Sequence, residues 1–371
     1  MKTILINYLG RNNSAPFFSY SVGKALKENG YDVIAVVSKH ATNISDWRNY
    51  GFREIYEVDT YTSGKNLIFK SICFLLVGKR KLKKKFDSEN IDYIINTFFH
   101  PWSNIVSDLW KEAVKITFCH DPILHDGVNR IMRVMYPLFI RRGDHVVVLT
   151  KKFVDIVEKD YGIDRKRIHY CPHGRMDLYK NNISSCRPMD FPEYKNEYIN
   201  FVFFGRIEKY KGLDVLGKAY EIIKSKHSNV SLSIYGAGDL GAYTDLIQHQ
   251  DVRIVNKYIS DEDIGWIFNG ANIVLVLPYE NATQSGVIPI AFEYGTPVIC
   301  SDLTGLREQL DDGNAGIYFD AGNEKSLADA MELFISDKKV YNGQSEKMLN
   351  LSDKIEWYSI IGNLMKEIDK C

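Results

Sequence analysis

Short apolar runs recur along the first half of the chain, at residues 4–8, 33–37, 93–95, 116–118 and 146–149. A stretch long enough for a helix separates each run from the next. Residues 17–29, for example, are predicted to form a helix that ends at Gly30. Continuous apolar strands alternating with helices indicate a parallel sheet covered on both faces. The pattern therefore predicts a doubly wound α/β domain.

The same alternation starts again after a polar stretch, residues 172–197, which contains three prolines. Its apolar runs are residues 199–204, 231–235, 252–255, 273–277, 297–300 and 315–318. We therefore predict two Rossmann-like domains that face each other across a cleft. The first predicted domain comprises residues 1–185 and a C-terminal helix over 353–371 that crosses back to it. A linker at 186–197 leads to the second predicted domain, residues 198–352. Ligands of such sheets bind at the carboxyl ends of the strands, so the cleft is the expected site.

Charge is distributed unevenly between the two halves. The 371 residues include 47 Lys and Arg and 47 Asp and Glu. Residues 1–190 hold 30 cations against 20 anions, and residues 191–371 hold 17 against 27. Such a division suggests different partners for the two domains and argues against a nucleic-acid-binding protein. Without a CxxC pair, a secretory signal or an apolar run of bilayer length, the sequence favours a reduced, cytoplasmic protein.

Two cations stand on the loop after the strand predicted at 199–204. Arg206 and Lys211 would place fixed positive charge at the carboxyl end of that strand, where a dianion could bind. A solvated surface loop explains the same residues, and the charges alone favour that simpler interpretation.

A polar turn after the strand predicted at 273–277 leads into a predicted helix. Ser285 is placed to cap this helix, which Gly295 ends, and Gly286 would let the backbone approach a ligand closely. The N–H groups at such a helix start would hold a phosphate. An ordinary capped helix explains this pattern equally well.

Together these segments resemble the retaining glycosyltransferases of family 4, which have the GT-B fold. The resemblance covers residues 200–325 in order and spacing. It is carried by the segments FFGRIEKYKGLDVL, SLSIYGAGDL, ATQSGVIPIAFEYGTPVICSDLTGLRE and GNAGIYFDAGNEKSLADAM. In the first half it is looser and rests on CHDP, VVVLTKKF and PHG.

The resemblance implies roles for individual residues. Arg206, Lys211 and the backbone of residues 285–287 would hold the diphosphate of a sugar donor, and residues 257–259 would frame its nucleobase. In chain order, the residues assigned to the donor are Gly10, Arg206, Lys211, Lys257, Tyr258, Ile259, Gln284, Ser285, Gly286, Val287 and Glu293. His120 is assigned beside the transferred sugar, as a catalytic residue with Arg206 and Lys211. A buried histidine that bonds its own backbone is the alternative interpretation of this residue. From their positions after predicted strands, rather than from the resemblance, His100 and Asp121 are assigned to the acceptor.

The chain departs from the family at two glutamates around the phosphate-binding helix. Ala282 and Ile290 occupy their positions, and neither can accept a hydrogen bond through its side chain. Gln284 is a candidate substitute at the sugar and Glu293 at the ribose. This departure bears on the identity of the donor more than on the class of reaction.

The sequence thus predicts a metal-independent, retaining glycosyltransferase without a cofactor. It would use a nucleotide-diphosphate sugar, with uridine expected, and a glycan or lipid-linked glycan acceptor in cell-surface polysaccharide synthesis. Residues 261–263 match an acidic metal-binding motif, but the start of a helix explains them and no metal is assigned. A sugar-nucleotide 2-epimerase of the same fold and a non-catalytic sugar-nucleotide-binding homologue remain alternatives.

Two segments of the first half combine apolar and basic residues. Six of the seven residues 79–85 are Lys or Arg and follow the apolar run 74–77, and residues 130–142 contain four arginines. Such segments suit an anionic membrane surface. A solvated basic helix end and an amphipathic core helix explain them equally well. The expected location is cytoplasmic, with peripheral attachment at the inner face of the plasma membrane left open.

Overall fold

The computed structural model describes residues 1–12, 15–123, 130–176, 178–181, 183–243, 246, 249 and 251–371, without the side chains of residues 130, 131, 178 and 181. The chain forms two compact units. One comprises Met1–Pro172 with Trp357–Cys371, and the other comprises His173–Glu356. Each unit is an α/β domain on its own parallel sheet, which confirms the predicted fold class.

The boundary between the units differs from the predicted one. The first unit ends at Pro172 rather than at residue 185, and the predicted linker lies inside the second unit. Within that stretch Phe191 is buried, and its ring centroid lies 5.0 Å from that of Tyr235. The Phe191 contact, together with a hydrogen bond of 2.8 Å between the hydroxyls of Tyr194 and Tyr235, thus fixes a segment whose composition is typical of a linker.

The first unit contains a seven-stranded parallel sheet. In chain order its strands are β1 (Thr3–Tyr8), β2 (Asp32–Ser38), β3 (Glu54–Val58), β4 (Tyr93–Asn96), β5 (Val114–Cys119), β6 (His145–Val148) and β7 (Ile168–Tyr170). Across the sheet the order is β3-β2-β1-β4-β5-β6-β7. The direction of winding reverses between β1 and β4, and ligands of open α/β sheets bind at such a point.

Helices cover both faces of this sheet, so all six residues of β1 are buried. The described α-helices of the unit are Ala15–Glu28, Ile44–Asn49, Gly64–Cys73, Lys79–Lys85, Ser103–Ser107, Arg130–Arg141, Lys152–Tyr161 and Trp357–Ile368. A π-helical turn at Phe74–Gly78 joins two of them, and Arg165–Arg167 is a 3-10 helix.

The C-terminal helix belongs to the first unit through apolar and polar contacts. Trp357 meets Phe18 edge to face, with 5.1 Å between ring centroids. Asn29 donates a side-chain hydrogen bond to the carbonyl of Tyr358 at 2.9 Å. The end of the chain is therefore packed against the helix that follows β1.

The second unit contains a six-stranded parallel sheet. Its strands are β8 (Ile199–Phe204), β9 (Val230–Tyr235), β10 (Val252–Val255), β11 (Ile273–Leu277), β12 (Val298–Ser301) and β13 (Ile317–Phe319). The order across the sheet is β10-β9-β8-β11-β12-β13, so the winding reverses between β8 and β11.

The described α-helices of the second unit are Leu178–Asn181, Leu213–Lys224, Ile264–Phe268, Ile288–Tyr294, Thr304–Gln309, Glu324–Ser336 and Lys338–Lys354. Lys209–Lys211 and Asp311–Gly313 are 3-10 helices. Across the described parts of both units, no helix combines the length and hydropathy that crossing a bilayer requires.

Candidate functional site

The loop after β8 begins with a sharp turn and carries an exposed cation. Gly205 has a φ of +136°, a conformation that a residue with a side chain rarely adopts. Next to it, the Arg206 side chain is 73% exposed and forms an ion pair with Glu208, with 2.8 Å between Nη1 and Oε1. Because this arginine is open to solvent, it is available to a ligand at the carboxyl end of β8.

Lys211, on the same loop, is half-buried between two aromatic rings. Its Nζ lies 3.5 Å from the ring centroid of Tyr279 and 5.0 Å from that of Tyr210. The described residues offer this ammonium no carboxylate partner. The pKa of Lys211 is lowered to about 8, and burial is the main cause. The negative charge of Glu208 raises this pKa, and the positive charge of Arg206 lowers it further. An anionic ligand would supply the missing counter-charge.

The loop after β11 packs closely against the loop after β8. Gly212 has a φ of +66°, and a Cβ built on it would lie 1.8 Å from the carbonyl oxygen of Pro278. Glycine is therefore required where the two loops meet. Beyond the contact, the hydroxyl of Tyr279 lies 3.3 Å from Oγ of Ser285. The two segments singled out in the sequence thus form one cluster where the winding of the sheet reverses.

The helix after this second loop begins later than predicted. It spans Ile288–Tyr294, with Val287 at its N-cap position. Ser285 Oγ instead accepts the N–H of Val287 at 3.3 Å, while the Ser285 amide donates to Oε1 of Gln309 at 2.7 Å. The predicted cap at Ser285 is wrong because the Gln309 side chain holds this residue in the preceding turn. Of the three backbone amides assigned to the diphosphate, that of the exposed Gly286 has no hydrogen-bond acceptor among the described residues.

The residues assigned to the nucleobase follow β10, an edge strand of the same sheet. Lys257 pairs with Asp190, with 2.7 Å between Nζ and Oδ2. Ile259 is buried, whereas Tyr258 is 67% exposed. Tyr258 is therefore the assigned side chain at this edge that a ligand can reach most easily.

The substitutes proposed for the missing glutamates differ in their surroundings. Gln284 is half-exposed on the loop after β11. Glu293 is buried, and its Oε1 accepts the backbone N–H of Lys180 at 2.9 Å. One oxygen of Glu293 thus supports the helix Leu178–Asn181. The predicted contact of Glu293 with a ribose stays a prediction.

In the first unit, Gly10 and His120 follow β1 and β5, which flank β4 in the sheet. The Nε2–H of His120 donates to the carbonyl of Thr97 at 2.8 Å, and the imidazole stacks on Phe98 with 3.6 Å between centroids. Phe98 also meets the ring of Tyr8, and a Cβ on Gly10 would lie 2.7 Å from the hydroxyl of that tyrosine. These contacts fix the orientation of His120 and bring it into one aromatic cluster with the turn at Gly10.

The two residues assigned to the acceptor differ in their exposure to solvent. His100 is buried, and its Nδ1 accepts the N–H of Trp102 at 3.1 Å. Burial, with a smaller contribution from the charge of Arg11, lowers the pKa of His100 to about 3, so this histidine is neutral at physiological pH. Asp121 is half-exposed, and its Oδ1 accepts the N–H of Ile123 at 3.1 Å.

Sequence reasoning missed three side chains that shape the second unit's site. Tyr210 and Tyr279 enclose Lys211, and Gln309 holds the backbone of Ser285. An aromatic residue two positions after the strand that ends at Leu277 was a usable signal for Tyr279. Gln309 gave no such signal, because it lies 24 positions beyond Ser285 on a later helix.

Asp263, from the acidic segment 261–263, is bound by hydroxyl groups. Its Oδ1 accepts from Ser184 at 2.9 Å and its Oδ2 from Ser260 at 2.7 Å. Within the described residues, no three His, Cys, Asp or Glu side chains form a group that could hold a metal ion. Metal independence of the reaction stays a prediction.

Two family models match successive parts of the chain. The model described as Glycosyltransferase Family 4 matches residues 17–175, and the one described as Glycosyl transferases group 1 matches residues 199–337. The capsular polysaccharide biosynthesis glycosyltransferase CapM of Staphylococcus aureus is 30% identical over 171 residues, which are 43% of this chain and 44% of CapM. A D-inositol 3-phosphate glycosyltransferase of Paenarthrobacter aurescens is 25% identical over 227 residues, 57% of this chain and 54% of that protein.

The chain spans about half the length of the curated relatives it matches. Among solved structures, HepE of Anabaena in complex with UDP and glucose aligns over 100% of both chains, with a TM-score of 0.71 and 14% identity. This likeness shows the fold. Because the two family models together cover most of the chain and the two parallel-sheet units match the GT-B architecture, the chain belongs to the family 4 glycosyltransferases.

Proposed function

We propose that the chain transfers a sugar from a UDP-sugar to a glycan or lipid-linked glycan in cell-surface polysaccharide synthesis, with retention of anomeric configuration and without a metal ion. The observation that carries this proposal is the environment of Lys211. Its ammonium is half-buried, has no carboxylate partner among the described residues, and lies on one loop with the exposed Arg206.

The reaction places negative charge where these cations stand. Breaking the bond between the anomeric carbon and the phosphate oxygen leaves that charge on the nucleoside diphosphate. A preformed cation in a partly desolvated site stabilises developing charge more than a solvated one does. Binding of the diphosphate also raises the pKa of Lys211 above its value of about 8, so the lysine stays protonated in the complex.

Retention follows if the acceptor hydroxyl attacks from the face that the diphosphate leaves. The new bond joins the acceptor oxygen to the anomeric carbon, the bond to phosphate breaks, and a leaving phosphate oxygen takes the acceptor proton. No enzymatic base is then required, and no pair of carboxylates of the glycosidase kind is needed. In this scheme, the assignment of His120 to the transferred sugar stays a prediction.

Two relatives support the choice of donor and acceptor. The name of CapM places that protein in capsular polysaccharide biosynthesis, and HepE of Anabaena was solved with UDP and glucose. These are properties of those proteins. Together with the cationic loop after β8, they favour a uridine diphosphate donor and a polysaccharide acceptor for this chain.

Calorimetric titration of UDP tests the proposal directly. Each of Lys211→Gln and Arg206→Gln is expected to weaken UDP binding by about 10–100-fold, because a hydrogen bond to a charged group contributes roughly 1.5–3 kcal/mol. In transfer assays, loss of one such contact is expected to lower turnover by about 10²–10³. Lys209→Gln is the matched control, since Lys209 is exposed on the same loop.

Equal affinities for UDP in the Lys209 and Lys211 variants would contradict the proposal. Incubation with a UDP-sugar alone distinguishes transfer from the 2-epimerase reaction. Without an acceptor, only an epimerase inverts the configuration at C2 of the sugar. NMR of the product glycoside reports whether the anomeric configuration is retained.

A further inference from the structure

An apolar surface lies exposed on the first unit, on the helical segment 64–85. Six large apolar side chains within ten positions are at least 40% exposed: Ile68, Phe69, Ile72, Leu75, Leu76 and Val77. Scattered exposed apolar residues are ordinary in a folded protein, but a contiguous patch indicates a binding surface. No residue of the helix Gly64–Cys73 is buried.

Aromatic and apolar contacts hold this segment in place. Phe74 is buried and stacks on Trp102, with 4.5 Å between ring centroids and 5° between ring planes. Trp102 also donates its indole N–H to Ser71 at 2.9 Å, and Leu82 is buried farther along. The segment is therefore anchored at several points while its apolar residues face outward.

Positive charge continues directly from the apolar surface. Residues 60–86 contain eight Lys or Arg and no Asp or Glu. Lys83 and Lys85 pair with carboxylates from outside this stretch, but Arg80, Lys81 and Lys84 are exposed and have no carboxylate partner in the described part of the chain. A purely solvated helix face normally intersperses charges of both signs, so this separation favours an anionic partner.

A second pair of exposed apolar residues lies near Trp102, the residue on which Phe74 stacks. On the helix Arg130–Arg141, Tyr136 is buried whereas Val134 and Leu138 are 64% and 51% exposed. The carbonyl of Leu138 accepts a hydrogen bond from Asn104, two residues after Trp102, at 3.5 Å. The helix thus packs its core face inward and still presents apolar side chains to solvent.

We propose that the surface formed by residues 68–77 and the cations Arg80, Lys81 and Lys84 binds an anionic lipid bilayer. Exposed aliphatic and aromatic side chains on a helix suit the boundary between headgroups and acyl chains, and adjacent cations meet the lipid phosphates. The first unit as a whole carries 29 Lys and Arg against 20 Asp and Glu, which supports attraction to such a surface. The proposal concerns where the protein works and does not depend on its donor.

Flotation with vesicles of neutral phosphatidylcholine, with or without about 30% phosphatidylglycerol, tests the proposal. The wild type is expected to bind the anionic vesicles at least tenfold more tightly, and half-molar salt is expected to weaken this binding. The charge variant Arg80→Glu/Lys81→Glu/Lys84→Glu and the apolar variant Ile68→Ser/Phe69→Ser/Leu76→Ser are each expected to lose at least tenfold. All six positions are exposed, so both variants are expected to unfold at the temperature of the wild type.

A matched control changes the net charge equally elsewhere. Lys325→Glu/Lys338→Glu/Lys339→Glu alters exposed lysines of the second unit at the first turns of two helices, where acidic residues are tolerated. This control is expected to bind anionic vesicles within about twofold of the wild type. An equal loss in the control and the charge variant would reduce the effect to net charge and overturn the assigned surface.

Cys73 lies within the patch and is exposed, as are Cys186 and Cys371. An environment-sensitive dye on Cys73, with the other two exposed cysteines changed to Ser, is expected to shift to the blue on anionic vesicles. The same dye on Cys371, with Cys73→Ser and Cys186→Ser, is expected not to shift. Failure of the wild type to bind anionic vesicles at low salt, or a shift only at Cys371, would overturn the proposal while leaving the UDP titration unaffected.

Discussion

Lys211 and Arg206 lie on one loop, yet the structure gives their charges different surroundings. Arg206 is largely solvated and forms an ion pair with Glu208, whereas Lys211 lies against the rings of Tyr210 and Tyr279. Charges interact more strongly where water is partly excluded. We therefore expect Lys211 to contribute the larger part of diphosphate binding.

The affinity for UDP is expected to fall as the pH rises above about 8. Lys211 must be protonated to bind the diphosphate, and its pKa in the ligand-free protein is about 8. Each pH unit above that value should weaken binding by about tenfold, until the pKa of the complex is reached. Lys211→Arg stays protonated throughout, so its affinity should not change with pH, although the planar guanidinium fits the site differently. Titration calorimetry between about pH 7 and pH 9, where the uracil N3–H of UDP stays largely protonated, measures this, and an unchanged wild-type affinity across that range would contradict it.

At the scale of elements, two loops from neighbouring strands build the site in the second unit. The loop after β8 supplies the cations, and the loop after β11 supplies Tyr279 and the turn at Ser285. Their contact depends on the missing side chain at Gly212, next to the carbonyl of Pro278. A small backbone feature therefore determines whether the two motifs act together.

Gly212→Ala is expected to impair both stability and UDP binding. Its methyl group would meet a backbone oxygen, so the loops must separate, and we expect a loss of about 2–4 kcal/mol in the free energy of unfolding. Gly162→Ala is the matched control, because Gly162 has a similar φ of +64° and open space around its Cβ position. That variant should lose only about 1 kcal/mol and keep its affinity for UDP. Denaturant titration and calorimetry compare the two, and equal effects on UDP affinity would show that the contact between the loops is not needed.

At the scale of the whole molecule, the two units differ in net charge. The first carries 29 cations against 20 anions, and the second carries 18 against 27. The donor site proposed here lies in the acidic unit, so its positive charge is a local feature of one loop rather than a property of the domain. This local concentration is what the proposed reaction requires in place of a metal ion.

Sugar transfer is expected to proceed in the presence of a strong chelator. Lys211 and Arg206 supply positive charge to the leaving diphosphate, and Asp263 already accepts hydrogen bonds from two serine hydroxyls. Initial rates with and without EDTA measure this, with dialysed enzyme and added Mn²⁺ as the comparison. Loss of activity with EDTA and recovery with Mn²⁺ would instead assign a metal to residues 261–263.

Much of the fold could be predicted from the sequence, because buried strands of a parallel sheet are continuous apolar runs. The exceptions are two edge strands. β3 contains two glutamates and has one buried residue, Val58, and β7 has three residues. An edge strand has a neighbour on one side only, so its sequence is less constrained toward apolar residues.

The sequence by itself determined the alternation of strands and helices, the family resemblance and the two cations of the β8 loop. These are local features, which follow from neighbouring residues and from motif spacing. Only the tertiary structure decided which distant residues meet: that Tyr279 lies under Lys211, that Gln309 rather than a helix start holds Ser285, and that residues 186–197, despite a composition typical of a linker, pack into the second unit. Such contacts join residues far apart in the chain, and the order of strands in the sheet brings them together.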